Sequence, residues 1–353
     1  MSAVRRHDDY ITACPGWTIL PLRAPRSLNL LITHKRNFKV LFVCDEVHAI
    51  GSEHQKQALL SIYDYRIGLS ATPERMFDEE GTQFIREYFG NKSFEFSIHD
   101  ALNTINPLTN KPFLNQFYYY PVFVHLNEKE QEKYNEFSRK IACIMNSKDE
   151  VPDIDKVNML RTKRAEILKN AEEKLASVSE IIDELNKTER IQNTIIFGTD
   201  KQVDPLLKLL SDKLITRSKI TENESASKKM GVNNLTEREE IIEQFRRGTV
   251  QVLIGIKCLD EGIDIKNARI AILMASSTNP REYVQRVGRV IRPDKNKKFS
   301  IIYDLIVVPD EDGPMTILQK EARRALMIAS NAINAKEVEN TFNEMGVKPN
   351  ADK

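Results

Sequence analysis

The sequence predicts an α/β protein made of two lobes with parallel sheets, joined by a helical connector. Six short apolar runs carry that reading: Val40–Cys44, Arg66–Leu69, Thr194–Phe197, Val250–Ile254, Ile270–Leu273 and Ser300–Tyr303. Each lies among segments of helical pattern, and strands alternating with helices build βαβ units around a sheet covered on both faces. The second observation is a stretch from Glu128 to Lys187, rich in Glu, Lys, Leu, Ile and Ala and broken by Pro152. It separates the first two runs from the last four and reads as two or more helices.

In chain order, the expected parts are a first lobe over 1–124, the connector over 125–189, a second lobe over 190–310 and a C-terminal helix over 311–353. Within the second lobe, the polar segment from Arg217 to Asn234 reads as a long loop leading into a helix over Glu237–Phe245. The tail reads as one long helix from Pro314 to Met345, because Leu318, Ala322, Ala325, Leu326 and Ala329 recur at helical spacing.

Composition narrows the function classes. With 353 residues, 41% hydrophobic and 29% charged, the chain has room for two ordinary domains. No apolar run approaches the ~20 residues of a membrane span, and the charged N-terminus lacks the core of a signal peptide. Cys14, Cys44, Cys143 and Cys258 form no CxxC pair. That argues against a disulfide framework or zinc site and suits a reducing cytoplasm. A net charge of +1 means that any nucleic-acid surface must be a local patch.

Four segments carry chemistry. Asp45-Glu46-Val47-His48 follows the first apolar run, and ligands of open α/β sheets bind beyond the carboxyl ends of strands. Paired acids there suit nucleotide hydrolysis: one carboxylate can hold Mg²⁺ and the next can activate a water. Alone, such a pair reads equally as a solvated acidic loop. Gly68-Leu69-Ser70-Ala71-Thr72-Pro73 follows the second run and by itself is only a turn. Leu259-Asp260-Glu261-Gly262-Ile263-Asp264 follows the fourth run. Its glycine allows close backbone approach to a ligand, and its acids can accept ribose hydroxyls. In Gln285-Arg286-Val287-Gly288-Arg289-Val290-Ile291-Arg292-Pro293, a helix would put Arg289 and Arg292 on one face. Two guanidiniums there suit a polyphosphate. The embedded Gly288 and closing Pro293 argue against a merely solvated basic helix.

In their order and spacing these segments resemble motifs II, III, V and VI of superfamily 2 helicases, of the branch with excision-repair helicases and restriction-enzyme motor subunits. The resemblance runs from about Leu41 to Leu305. It implies two RecA-like lobes, ATP and Mg²⁺ as cofactors, and nucleic acid, DNA in preference, as partner. It implies that Asp45 helps hold Mg²⁺ and that Glu46 orients the attacking water. His48, Ser70, Thr72 and Gln285 couple nucleotide state to lobe movement, and Gly262 and Asp264 approach the nucleotide from the second lobe. Arg289 and Arg292 are the arginine fingers. Thr199, in Phe197-Gly198-Thr199, is the candidate for a phosphate contact to nucleic acid, with Lys257 a weaker one.

One expected part is missing. A phosphate-binding loop ends in Gly-Lys-Ser/Thr, and none of the 13 glycines is followed by lysine. The first lobe is therefore expected to be incomplete, with unpaired strands and a partly uncovered face. A separate polypeptide supplying that loop is the expected partner. A truncated or split remnant that binds nucleic acid without turnover is the alternative.

Overall fold

In the computed structural model, the chain divides into two units, Met1–Glu95 and Phe96–Lys353. The structure describes residues 6–7, 10–14, 17–19, 39–50, 59–70, 78–90, 92–147, 153–188, 191–221, 224, 229–230, 235–256, 265–275, 280–295, 297–310 and 315–347.

The first unit has a small antiparallel sheet of β1 (Arg6–His7), β2 (Tyr10–Cys14) and β3 (Trp17–Ile19). It also has a parallel pair, β4 (Leu41–Cys44) with β5 (Tyr65–Gly68), in register from Leu41↔Tyr65 to Cys44↔Gly68. Strand alternation sends Phe42 inward to stack on Tyr63 at 4.6 Å. The same alternation leaves Val43, Tyr65 and Ile67 about half exposed. Helix α1 (Glu79–Phe89) starts where Asp78 accepts the Gly81 amide at 2.7 Å, carries Glu79 and Glu80 in its first turn, and buries Ile85.

The second unit opens with α2 (Ile98–Asn103), capped by Ser97 and Asp100. A short hairpin of β6 (Ile105–Asn106) and β7 (Lys111–Pro112) follows. Then come β8 (Phe117–His125) and three helices, α3 (Glu128–Met145), α4 (Ile154–Lys169) and α5 (Glu173–Lys187). Strand β9 (Thr194–Phe197), α6 (Asp200–Asp212) and β10 (Arg217–Ile220) precede the hairpin of β11 (Lys229–Met230) and β12 (Leu235–Thr236). Helix α7 (Glu237–Arg247), β13 (Val252–Gly255), β14 (Ile270–Leu273) and α8 (Pro280–Val290) come next. The unit closes with β15 (Ser300–Val308), α9 (Met315–Ala329) and α10 (Ala335–Glu344).

Six strands form one parallel sheet in the order β10-β13-β9-β14-β15-β8. Every residue of β9, β13 and β14 is buried, as continuous apolar runs with helices on both faces require. Alternate side chains feed two cores. Ile195, Phe197, Leu253, Ala271 and Leu273 pack with α7, α8, α9 and α10, while Ile196, Ile254, Ile270 and Ile272 pack with α5 and α6. This is a RecA-like α/β lobe.

Several expectations are corrected. The segment Phe117–His125, assigned from sequence to a first lobe ending at 124, is an edge strand of the second sheet, paired along its length with β15. Its Pro121 is tolerated because an edge strand can spare a donor. Helix α5, expected in the connector, buries Val178 and Ile182 against that sheet. Arg217–Ile220, expected in a loop, is the other edge strand. The expected single C-terminal helix is two. Between them Asn334 Oδ1 accepts the Tyr119 amide at 3.0 Å and its Nδ2 donates to the Tyr119 carbonyl at 2.9 Å, pairing the free edge of β8.

Candidate functional site

Asp45 to His48 leave the carboxyl end of β4. Glu46 adopts left-handed backbone angles, φ 50° and ψ 48°, which cost a non-glycine residue roughly 1–3 kcal/mol. The turn is held by three bonds: Glu46 N–H donates to Asp45 Oδ1 at 2.9 Å, Val47 N–H to the Leu69 carbonyl at 2.9 Å, and Leu69 N–H to the Cys44 carbonyl at 2.8 Å. At Gly68 a Cβ would lie 3.1 Å from Val47 Cγ2 and 3.3 Å from the Phe89 ring, so glycine lets the two strand ends close on each other.

The result brings three predicted residues together. His48 is nearly buried, and its Nδ1 lies 2.8 Å from Ser70 Oγ and 3.2 Å from Glu46 Oε2. With its proton on Nδ1, the ring donates to Ser70 Oγ and ties the end of β4 to the end of β5, while Glu46 Oε2 stands at ion-pair distance from the same nitrogen. Asp45 stays exposed. A single outward carboxylate suits Mg²⁺, which is commonly held by one or two carboxylates together with substrate phosphates. Thr72 lies outside the described residues.

In the second unit, Gln285 and Arg289 lie on α8 and Arg292 in the turn that follows it. The helix divides by face. Tyr283, Arg286, Val287 and Val290 are buried, whereas Gln285, Arg289 and, past the helix end, Arg292 are partly exposed. Arg286 was not singled out by sequence for any separate task. Its Nη1 donates to the Ala275 carbonyl, its Nη2 lies 3.6 Å from Glu282 Oε2, and its guanidinium lies 5.5 Å from the centre of the Phe197 ring. At the other end Lys297 Nζ and Ser300 Oγ donate to the Val290 carbonyl at 2.8 and 2.9 Å. Burial lowers the Lys297 pKa to about 8, against the opposing pull of Asp294.

Gly288 sits inside α8, yet a Cβ there would meet nothing within 4 Å. Packing therefore does not demand the glycine, which weakens a helix by ~0.5–1 kcal/mol relative to alanine. Gly288→Ala is expected to raise the unfolding free energy by about that amount, seen as a higher urea midpoint at an unchanged m-value. A lower midpoint would show that the site has less room than the structure gives it.

Thr199 is the N-cap residue of α6. Its N–H donates to Gln202 Oε1 at 3.0 Å and its hydroxyl to Asn170 Oδ1 at 2.6 Å. A phosphate contact by that hydroxyl would have to displace Asn170. Lys257, Gly262 and Asp264 lie outside the described residues. Among the described residues, no three His, Cys, Asp or Glu side chains converge on a metal position. No helix among them is long and apolar enough to cross a membrane.

A parallel sheet wrapped on both faces, with an arginine-bearing helix packed at the carboxyl ends of its strands, is the architecture of RecA-like motor lobes. Residues 173–294 match the helicase conserved C-terminal domain family, so this part of the second unit is similar to the C-terminal lobe of superfamily 2 helicases. The DNA 3'-5' translocase XPB2 of Sulfurisphaera tokodaii is 27% identical over 300 residues, covering 80% of this chain and 62% of its own length. The ATP-dependent RNA helicase vasa of Drosophila melanogaster is 29% identical over 140 residues, 39% of this chain and 19% of its own. Among solved structures, the Pyrococcus furiosus Hef helicase domain aligns over 81% of this chain and 75% of that one, with a TM-score of 0.46 at 13% identity. The chain thus spans less than two thirds of the length of these curated relatives.

Proposed function

We propose that the chain is the working part of an ATP-dependent nucleic-acid helicase or translocase acting in the cytoplasm, with DNA as the favoured track. The observation that carries this reading is the division of α8. One face is anchored by Tyr283, Arg286 and Val290, and the other carries Gln285 and Arg289, with Arg292 in the turn just past the helix end. A rigid helix offering two arginines is what a transferring phosphoryl group needs, because catalysis there is mostly positioning and charge compensation.

In this reading Asp45 holds Mg²⁺, Glu46 orients the attacking water, and His48 passes the state of Glu46 to Ser70. Gly262 and Asp264 reach the nucleotide from the second lobe, Thr72 and Gln285 take part in coupling, and Thr199 and Lys257 contact nucleic-acid phosphates. Mg²⁺ held by Asp45 would supply charge neutralisation to the nucleotide phosphates. DNA is favoured because a relative matched over 80% of this chain is named a DNA translocase.

No glycine of the sequence precedes a lysine, and in this reading a separate polypeptide supplies the phosphate-binding loop. The half-exposed Val43, Tyr65 and Ile67 on β4 and β5 suit an added structural layer there. The test is ATP hydrolysis measured with and without single-stranded DNA, first on this chain and then with a segment carrying Gly-Lys-Ser/Thr. Turnover is expected near background in the first case and DNA-stimulated in the second, and Glu46→Gln should abolish the gain. Salt-dependent DNA binding that ignores nucleotide in both cases would instead identify a silent binding protein.

A further inference from the structure

Lys174 stands at the first turn of α5 and is 3% exposed. Its Nζ donates to the Met274 carbonyl at 2.6 Å and to the Lys169 carbonyl at 3.3 Å. The next carbonyl along the chain, that of Ala275, accepts from Arg286. The two cations approach from opposite sides of the sheet. Lys174 belongs to α5, which packs with Ile272 and Met274, while Arg286 belongs to α8, which packs with Leu273. The amides of Met274 and Ala275 both donate to the Phe197 carbonyl, at 3.0 and 3.1 Å. The backbones of Met274 and Ala275, just past β14, are therefore held by β9 through their amides and by buried cations through their carbonyls.

We propose that Lys174 is a positioning residue that, with Arg286, clamps the carboxyl end of β14 and so sets where α8 presents Gln285, Arg289 and Arg292. The inference rests on the reading of α8 as the phosphate-facing helix, but its test does not use turnover. An ammonium is a costly way to fill an apolar site, since an apolar side chain of similar volume is often neutral or stabilising in its place. Burial lowers the Lys174 pKa to about 8. Glu321 on α9 and Asp304 on β15 favour its charge, and Arg324 on α9 and Lys169 on α4 oppose it. Capping α4 alone does not explain it, because the Lys169 carbonyl also accepts from Gln202 Nε2 at 3.1 Å. What the ammonium adds is the bond to the Met274 carbonyl.

The link runs further. Lys169 and Asn170 end α4, and Asn170 accepts from Thr199 at the start of α6. Lys174 therefore joins the helical connector to the carboxyl end of β14, the strand that precedes α8 in the chain.

The test is amide hydrogen exchange on the full chain, comparing wild type, Lys174→Met and Arg289→Ala at pH 7. Lys174→Met is expected to speed exchange about tenfold in peptides covering Met274, Ala275 and Val284–Val287, with β9 and β13 changed less than twofold. Arg289→Ala should leave all of these rates unchanged, so a failed motor reading would not alter the outcome. Unchanged α8 rates in Lys174→Met, or equal acceleration throughout the sheet, would overturn the proposal. Should Lys174→Met not fold, wild type decides the matter through its pH profile. After correction for intrinsic rates, exchange at Val284–Val287 relative to β13 should rise between pH 7 and 9 as Lys174 loses its proton. This is read at the β14 end of α8 because Lys297, which titrates in the same range, bonds the Val290 end. A flat ratio refutes the clamp.

Discussion

Replacing Arg289 by alanine is expected to lower ATP turnover by about 10³-fold or more in any assembly where this chain hydrolyses ATP. An arginine finger is worth roughly 10³–10⁵ in rate, or about 4–7 kcal/mol of barrier at ~1.36 kcal/mol per decade. On the proposed reading, the loss should fall on kcat more than on KM. Arg289 rides on a helix fixed at one end by Arg286 on the Ala275 carbonyl and at the other by Lys297 and Ser300 on the Val290 carbonyl. A donor held that firmly meets the charge that develops in the transition state without reorganising. Arg289→Lys should recover little, because an ammonium lacks the planar fork of the guanidinium. Stability should move little, since Arg289 is only partly buried. Steady-state kinetics under saturating DNA would read the effect, and a turnover within tenfold of wild type would remove Arg289 from the phosphate site.

How much of this was legible in the sequence depended on what the residues had to satisfy. Thr194–Phe197 and Ile270–Leu273 were read to the residue because strands buried on both faces are apolar at every position. Both edge strands escaped. Arg217–Ile220 is polar along most of its length, and Phe117–His125 contains a proline and pairs with a strand about 180 residues away, which local pattern does not encode. The break near Asn334 was missed because its purpose, pairing the Tyr119 backbone, is also nonlocal.

The site divided the same way. The motif strings were visible, and the structure brings Glu46, His48 and Ser70 into one cluster. The supporting cations were not visible, because Lys174, Arg286 and Lys297 read as surface charge. For Lys174 a signal existed: it falls on the stripe Lys174, Val178, Ile181 and Ile182, Leu185, all of them buried. A lysine at an apolar position of a helical stripe is a buried cation in search of carbonyls.

The largest stability effect is expected at Asp304. It lies fully buried in β15, and one of its oxygens, Oδ2, accepts from the Tyr119 hydroxyl at 2.5 Å, the Tyr283 hydroxyl at 3.0 Å and Arg324 Nη2 at 3.0 Å. The two hydroxyl oxygens also lie 2.7 Å apart, so the single Tyr283 proton is shared between Tyr119 and Asp304, and the Arg324 guanidinium lies 4.5 Å from the centre of the Tyr283 ring. Burial first, and then the Asp304 charge, push both phenols well above their usual pKa of about 10, so they remain donors throughout the working range. Asp304→Ala removes the anion and leaves Arg324 with Glu321, 2.7 Å away at the edge of the cluster. Breaking a buried ion pair from one side costs about 3–5 kcal/mol, enough to consume a large part of a typical domain's stability. Urea titration should show a lower midpoint at constant m-value. Arg324→Met in the same chain should return part of the loss, because it withdraws a buried guanidinium that keeps Glu321 but has lost the Asp304 carboxylate. The double-mutant cycle separates these contributions. A single-mutant cost below about 1 kcal/mol, or strict additivity of the pair, would mean that the cluster does not hold the second unit together. Tyr283 belongs to α8, so the same carboxylate that stabilises β15 also bears on the helix that carries Arg289. Variants at Asp304 should therefore lose turnover before they lose fold, at denaturant concentrations below the unfolding midpoint.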